Sequence, residues 1–157
     1  MLDLIKKYLV PACATLLAVV AFFLLFGKCV GVVDAEGGYN GFQVIFGAKE
    51  ESVKLLGFSF PAFLAFLFLI AGIALVWLNM VPFNHFISAG LLLVAAILLF
   101  CFPSFINVPK EGWGQLGKLV DYNAKACLII SGILNILAAG VIGAKDYLNV
   151  LVNKYVK

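Results

Sequence analysis

Four long runs of apolar residues dominate the chain, and each has the length of a membrane-spanning helix. They cover about residues 8–28, 57–80, 86–103 and 126–144, and no Asp, Glu or Lys interrupts the body of any run. A hydrocarbon core about 30 Å thick needs around 20 helical residues at about 1.5 Å per residue. The pattern therefore predicts an all-α transmembrane protein, a four-helix bundle formed by a single domain over residues 1–157, with its first helix uncleaved.

Composition points to the same class of protein. Hydrophobic residues make up 64% and charged residues 12% of the 157 positions. A soluble domain has roughly 45–50% apolar and about 25% charged residues, so this chain lacks the polar residues to cover a surface in water. Its basic residues are all lysines scattered between the apolar runs, whereas nucleic-acid-binding proteins cluster basic residues and favour Arg. We expect the lipid bilayer as a partner and no nucleic acid.

The connections between the runs differ in length. Residues 29–56 and 104–125 form two long loops that fall on one side of the membrane, while a short turn with Pro82 joins the second and third helices. Asn84 is the predicted N-cap of the third helix. The lysines divide almost evenly between the two sides, but both termini are basic and the first long loop is acidic. We therefore predict a cell-membrane protein with both termini in the cytoplasm.

The first outer loop carries strand-like sequence. Residues 29–33 and 42–46 are apolar and rich in β-branched or aromatic side chains, and a Gly-rich turn separates them. This pattern predicts a β-hairpin standing on the membrane, with residues 105–108 adding a third strand to a small extracytoplasmic sheet. The alternative is that the first helix continues to Val33 and the loop is irregular.

The fourth helix has a stripe of small and polar residues that recur every four positions: Cys127, Ser131, Asn135, Ala139 and Gly143. Small residues let membrane helices approach closely, and a buried Asn bonds across the interface. Thr15 lies near mid-depth in the first helix. We predict that the first and fourth helices pack together, with Asn135 bonded to Thr15 or to a backbone carbonyl. The alternative is that Asn135 lines a polar path or a ligand pocket.

Residues suited to catalysis or metal binding are few. Cys101 and Cys127 have matched depths, so a disulfide between them is geometrically allowed, although free thiols are the expected state. The single histidine, His85, lies in the inner turn, on the opposite side from three of the four cysteines. No carboxylate lies within the apolar runs. We expect no enzyme activity, no cofactor and no metal site.

Two surface regions are candidates for contacts with a partner. Tyr39, Phe42 and Trp113 are aromatic residues in the outer loops and are predicted partner contacts. Residues 145–157 have helical amphipathicity, which favours an interfacial anchor on the inner surface. A docking helix for a cytosolic partner is the alternative for this tail.

The order of elements resembles the claudin-like four-helix architecture: a helix, a long outer loop, a helix hairpin, a second outer loop and a helix. The first outer loop lacks the Trp and paired Cys of that family, so the resemblance implies no junctional role. Residues 41–47 (GFQVIFG) and 56–60 (LGFSF) also resemble small uncharacterised four-pass membrane proteins of low-GC Gram-positive bacteria. That resemblance implies a bacterial membrane location and supplies no site residues.

These features predict a non-catalytic multi-pass membrane protein. Two long structured loops on one side favour a scaffold or accessory subunit that contacts another membrane protein or a second copy of itself. The Asn135 stripe motivates an alternative, a homo-oligomeric pore or small transporter for a neutral solute. A holin-like membrane protein is the third hypothesis.

Overall fold

A computed structural model describes residues 2–32, 37–50, 53–78, 83–108 and 121–155. The helices are α1 (Leu2–Leu24), α2 (Gly41–Phe46), α3 (Phe60–Trp77), α4 (Asn84–Phe100), α5 (Ala126–Gly143) and α6 (Lys145–Tyr155), with a short 3-10 helix at Phe102–Phe105. The strands are β1 (Lys28–Val32), β2 (Tyr39–Asn40), β3 (Ala48–Glu50), β4 (Val53–Leu56) and β5 (Tyr122–Ala124). The prediction of a mostly helical chain with a small sheet is confirmed.

The four long helices form a bundle in which neighbours are not packed equally. Helix α5 packs against α1 and α4, α4 also packs against α3, and α1 makes far less contact with α3. We call the first three interfaces the closed side and the α1–α3 interface the open side. At one end, the sheet end, β1 pairs with β5. At the other, the turn end, the ring of Tyr8 stacks on Trp77 with centroids 6.1 Å apart.

Small residues share the interior of the bundle with a few large ones, such as Leu69 and Leu92, and many other large apolar side chains point outward. Ala14, Ala18 and Ala21 on α1 are completely buried, whereas Leu16 and Phe23 on the same helix are 65% and 63% exposed. The other long helices repeat this pattern with these buried residues: Ala62, Ala65 and Gly72 on α3, Ala95 and Ala96 on α4, and Gly132, Ala138 and Ala139 on α5. Contiguous exposed apolar surface of this kind is unusual for a monomer in water.

Two of the described helices, α3 and α5, are long and apolar enough to cross a membrane. Both contain 18 residues, which corresponds to about 27 Å of helix. Helix α4 and the apolar part of α1, Tyr8–Leu24, are also apolar but are shorter than α3 and α5. Helix α6 follows α5 directly and also contacts α1 at the turn end.

The first outer loop is only partly as predicted. Strand β1 forms where residues 29–33 predicted a strand, and α1 ends before it. The predicted strand at residues 42–46 is wrong, because this segment is helix α2. Asn40 caps that helix: its side chain accepts a hydrogen bond from the Gln43 N–H (2.7 Å), and the Gln43 side chain accepts one from the Asn40 N–H (2.9 Å). This capping box satisfies two free N–H groups and favours the helix.

The sheet also differs from the prediction in its third strand. The order is β2-β1-β5, all antiparallel, with Val30 opposite Ala124 and Val32 opposite Tyr122. The third strand predicted at residues 105–108 is wrong: the 3-10 helix occupies its start, and the following residues form no strand. A separate hairpin, β3–β4, was not predicted.

The predicted N-cap of α4, Asn84, is wrong. Phe83, with φ of 62°, takes the N-cap position, and Asn84 is the first residue of α4. The Asn84 side chain donates to the carbonyls of Leu75 and Leu78 at the end of α3. Asn84 therefore caps the C-terminus of α3 rather than the N-terminus of its own helix, and it joins the two helices of the hairpin.

Candidate functional site

The buried hydroxyl groups of the bundle bond to backbone carbonyls of neighbouring elements. Ser131 Oγ on α5 donates to the Ala21 carbonyl on α1 at 2.8 Å. Ser88 Oγ on α4 donates to the Gly72 carbonyl on α3 at 2.7 Å. Both serines are completely buried. These bonds hold adjacent helices together where water cannot compete for the donor.

Asn135 lies at the centre of the predicted stripe and is also completely buried. Its Nδ2 donates to the Ser131 carbonyl at 3.0 Å, and its Oδ1 has no hydrogen-bond partner. The predicted bond to a backbone carbonyl therefore forms, but within α5 rather than across an interface. An acceptor that is buried without a donor is unusual and costs about 1–3 kcal/mol.

Thr15 does not bond to Asn135. Its hydroxyl donates to the Pro11 carbonyl (2.8 Å) and accepts a hydrogen bond from Nε1 of Trp77 on α3 (2.9 Å). Because Ala14 and Ala18 are the completely buried residues of this stretch of α1, the half-buried Thr15 is turned toward α3. Helices α1 and α5 do pack together as predicted, but Thr15 contributes to the open side of the bundle.

The rest of the stripe lies between helices. Ala139 is buried, and a Cβ added at Gly143 would lie 3.6 Å from the Cβ of Ala89 on α4. Gly132, beside the stripe, is more tightly packed than Gly143, because an added Cβ would come within 2.6 Å of the Phe100 ring. Sequence reasoning identified this small-residue face but missed Ser88, since the partner of Ser88 is a backbone carbonyl with no sequence signal.

All four cysteines are free thiols. Cys101 is exposed and Cys127 is half-buried, and no disulfide joins the two. Burial raises the pKa of the Cys29 thiol to about 11, with a hydrogen bond at Gly41 opposing the shift and the nearby Cys127 adding to it. A protonated thiol is a poor nucleophile and a poor metal ligand. No cluster of three potential metal ligands occurs among the described residues.

His85 takes part in a link between two elements of the turn end. Its Nε2 lies 3.5 Å from Oδ2 of Asp146 on α6, and its ring lies 4.2 Å from that of Phe86. This separation is within the range of an ion pair, but the His85 Nε2 atom has no hydrogen-bond partner. Because the Asp146 side chain is 80% exposed, the pair contributes about 0–1 kcal/mol when His85 is protonated.

The sheet end brings the two outer loops together. Lys125 Nζ, just before α5, donates to the Gly37 carbonyl in the first loop at 2.6 Å. The stem of Lys125 passes so close to Gly31 that an added Cβ would lie 2.5 Å from its Cε. The backbone N–H of Lys125 also bonds the Cys29 carbonyl. These contacts join the end of the second loop to the first loop, from which it is distant in sequence.

The predicted partner contacts occupy different environments at this end. Tyr39 is half-buried in β2, and partial burial together with Tyr39 raises the pKa of Tyr122 on β5. Phe42 packs its ring 4.5 Å from that of Phe26, at the end of α1. Trp113 lies outside the described residues.

No family model, curated protein or solved structure matches this chain. The function is therefore inferred from the geometry of the chain itself.

Proposed function

We propose that this chain is a non-catalytic, four-pass membrane protein that acts as a scaffold or accessory subunit and presents its sheet end to another membrane protein. The observation that carries the proposal is the outer face of the bundle, where all four long helices expose large apolar side chains. Exposed apolar patches larger than a few hundred Å² are rare on soluble monomers, whereas lipid favours them.

These exposed apolar faces support four spans rather than two. Helix α4 lies between α3 and α5, the two helices of spanning length, and its outward side chains include Leu93 (47% exposed) and Ile97 (53% exposed). Its 17 residues correspond to about 25 Å. The apolar part of helix α1, Tyr8–Leu24, is about 25 Å long and carries the same kind of outward face. The sheet end then faces the outside and the basic termini face the cytoplasm.

The sheet end supports the role in binding a partner. The β1–β5 pairing and the Lys125 bond to Gly37 join described parts of both loops, which a protein that only spans the bilayer does not need. The bundle interior is closed around Ser131 and Asn135, which disfavours a polar path through a single chain.

A pore or small transporter formed by several copies is the second candidate. The unpartnered Oδ1 of Asn135 favours it, since a polar solute would supply the missing donor if the helices around Asn135 separated in the assembly. Replacing Asn135 with Leu would abolish liposome flux of a neutral solute in that case. If the unmodified chain already shows no flux, the substitution changes nothing, and the pore or transporter is contradicted.

Extraction from the native membrane tests the main proposal. A photoreactive residue at Tyr39 is expected to crosslink one other membrane protein, which also copurifies with the chain in mild detergent. The same residue at Ile133, on the lipid-facing side of α5, is the matched control and is expected to capture none. Assemblies that contain only multiples of 16.9 kDa would contradict the accessory role and favour the pore.

A further inference from the structure

Two cysteines meet at the sheet end, where the end of α1 lies against the start of α5. The pairing of β1 with β5 continues past Val30 and Ala124, because the Lys125 N–H donates to the Cys29 carbonyl at 2.8 Å. Cys127 follows two residues later, in the first turn of α5. The sheet therefore brings Cys29 and Cys127 together, although they are distant in sequence.

Both sulfur atoms lie against the same turn, which connects α1 to β1. Cys29 Sγ donates to the Leu24 carbonyl at 3.5 Å. A Cβ added at Gly27 would lie 3.1 Å from Cys127 Sγ and 3.3 Å from that same carbonyl oxygen. Gly27 therefore has no side chain to separate the Cys127 sulfur from the turn that Cys29 contacts.

The spacing of the backbone suits a bond between the two cysteines. Opposed residues of an antiparallel pair have Cα atoms about 5 Å apart, and a disulfide spans up to about 7 Å between Cα atoms. Lys125 is the residue opposite Cys29, and Cys127 is only two positions beyond it. The Cys127 thiol is also near enough to contribute to the raised pKa of Cys29.

The two thiols differ in their access to reagents. Cys29 is completely buried, whereas Cys127 is half-buried. A reagent from solution therefore reaches Cys127 first, and Cys29 is in place to react only with what is bound there. This difference suits a two-step reaction with an accessible attacking thiol and a buried second thiol.

We propose that Cys29 and Cys127 are a redox-sensitive pair that a small-molecule disulfide converts into a disulfide bond. The Cys127 thiol loses its proton, and its sulfur attacks one sulfur of the small disulfide, whose other half leaves as a thiol. The Cys29 thiol then loses its proton and attacks the Cys127 sulfur, which releases the second half as a thiol. Two protein thiols are oxidised to one disulfide, and the small disulfide is reduced to two thiols.

The bond would join the start of the first outer loop to the end of the second. The proposed orientation places it outside the cytoplasm, where disulfides persist. Its formation requires neither that orientation nor a partner protein, so the inference goes beyond the proposed function.

Oxidation of the full reduced chain in mild detergent tests the inference. Oxidised glutathione is added, free thiols are blocked with a maleimide, and the products are analysed by mass spectrometry without reduction. We expect the unmodified chain to lose the mass of two hydrogen atoms and its peptides to show Cys29 linked to Cys127. The closing step is expected to accelerate about tenfold per pH unit between about pH 7 and 9, because burial raises the pKa of Cys29 to about 11.

Three variants separate the steps. Cys29→Ser is expected to stop the reaction with glutathione retained on Cys127. Cys101→Ser, which removes the exposed thiol at the end of α4, is the matched control and is expected to close as the unmodified chain does. Gly27→Ala is expected to slow closure about tenfold, because its Cβ displaces the Cys127 sulfur, while the backbone of Gly27 lies outside the left-handed region and accepts alanine.

A lasting glutathione adduct on Cys127 of the unmodified chain would overturn the inference, as would a link between Cys101 and Cys127. Thiols that do not react at all would also overturn it. None of these results bears on the accessory role, which crosslinking from Tyr39 tests separately.

Discussion

The helices on the closed and open sides of the bundle are similarly apolar, but they pack together differently. On the closed side, small residues at helical spacing allow backbones to approach, and buried hydroxyls of Ser88 and Ser131 reach carbonyls across the interfaces. On the open side, α1 and α3 meet through the large side chains of Phe22, Phe66 and Trp77 and leave a cavity. Residue size at the contact, rather than hydrophobicity, therefore decides whether two of these helices close together.

The largest expected effect concerns the protection of Cys29, at the sheet end of the closed side. Its pKa is raised from 9.0 to about 11 by burial, so at pH 8 its thiolate fraction is about a hundredfold below that of an ordinary thiol. In a Cys13→Ser background, we expect maleimide to label the buried Cys29 at least about tenfold more slowly than the exposed Cys101, as followed by mass spectrometry of the labelled peptides.

The raised pKa of Cys29 also sets the direction in which stability changes with pH. A protonated Cys29 thiol is favoured in the folded state, so its contribution to stability is complete below pH 9 and is lost as the pH rises through about 11. If maleimide labelled Cys29 as fast as Cys101, Cys29 would not be protected in the folded state. That result would contradict the burial of Cys29 at the sheet end.

Gly72 tests the close approach of α3 and α4. A Cβ at this position would lie 2.8 Å from Cγ of Leu92, which is 1% exposed and cannot move freely. We expect Gly72→Ala to lower the free energy of unfolding in detergent by about 1–3 kcal/mol, the usual cost of overpacking. Gly90→Ala on α4 is the control, since an added Cβ there meets nothing within 4 Å. Equal stabilities of the two variants would refute close packing at this interface.

The buried hydroxyls are expected to contribute less. Ser131→Ala and Ser88→Ala should each lower the free energy of unfolding by about 0.6 kcal/mol, the average for hydrogen bonds between membrane helices. The same denaturation assay measures it, with Ser104→Ala, an exposed serine of the 3-10 helix, as the unaffected reference. A loss at Ser104 as large as at Ser131 would mean that the interhelical bonds are not what stabilises the closed side.

The smallest effect is expected on the open side. Trp77→Phe keeps an aromatic ring for stacking on Tyr8 but removes the donor to Thr15. Because Trp77 is 48% exposed, we expect a loss below about 0.5 kcal/mol in the same assay. A loss larger than that of Ser131→Ala would show that the α1–α3 contact, and not the closed side, holds the bundle together.

The long helices could be predicted because an uncharged apolar run of this length rarely adopts any structure other than a helix. It also predicted the packing of α1 on α5, since small residues repeat on one helix face. Helix α2 was missed because its apolar pattern is strand-like, although Asn40 and Gln43 carry the capping-box signal. Strand β5 was missed because Tyr122–Ala124 is a strand only through its pairing with β1, which is distant in sequence. The direction of Thr15 likewise depends on which helix lies beside α1.

Spin labels on the outward faces of the helices test the central claim most directly, which is that all four long helices lie in lipid. Labels at Leu16 on α1 and Leu93 on α4 are the decisive positions in vesicles, with a label at Ile133 on α5 for comparison and one at the exposed Lys49 as the water-accessible control. We predict that all three helix labels collide with oxygen and are protected from a water-soluble nickel complex, as lipid requires. Nickel access at Leu16 or Leu93, with Ile133 still protected, would contradict the four-pass bundle.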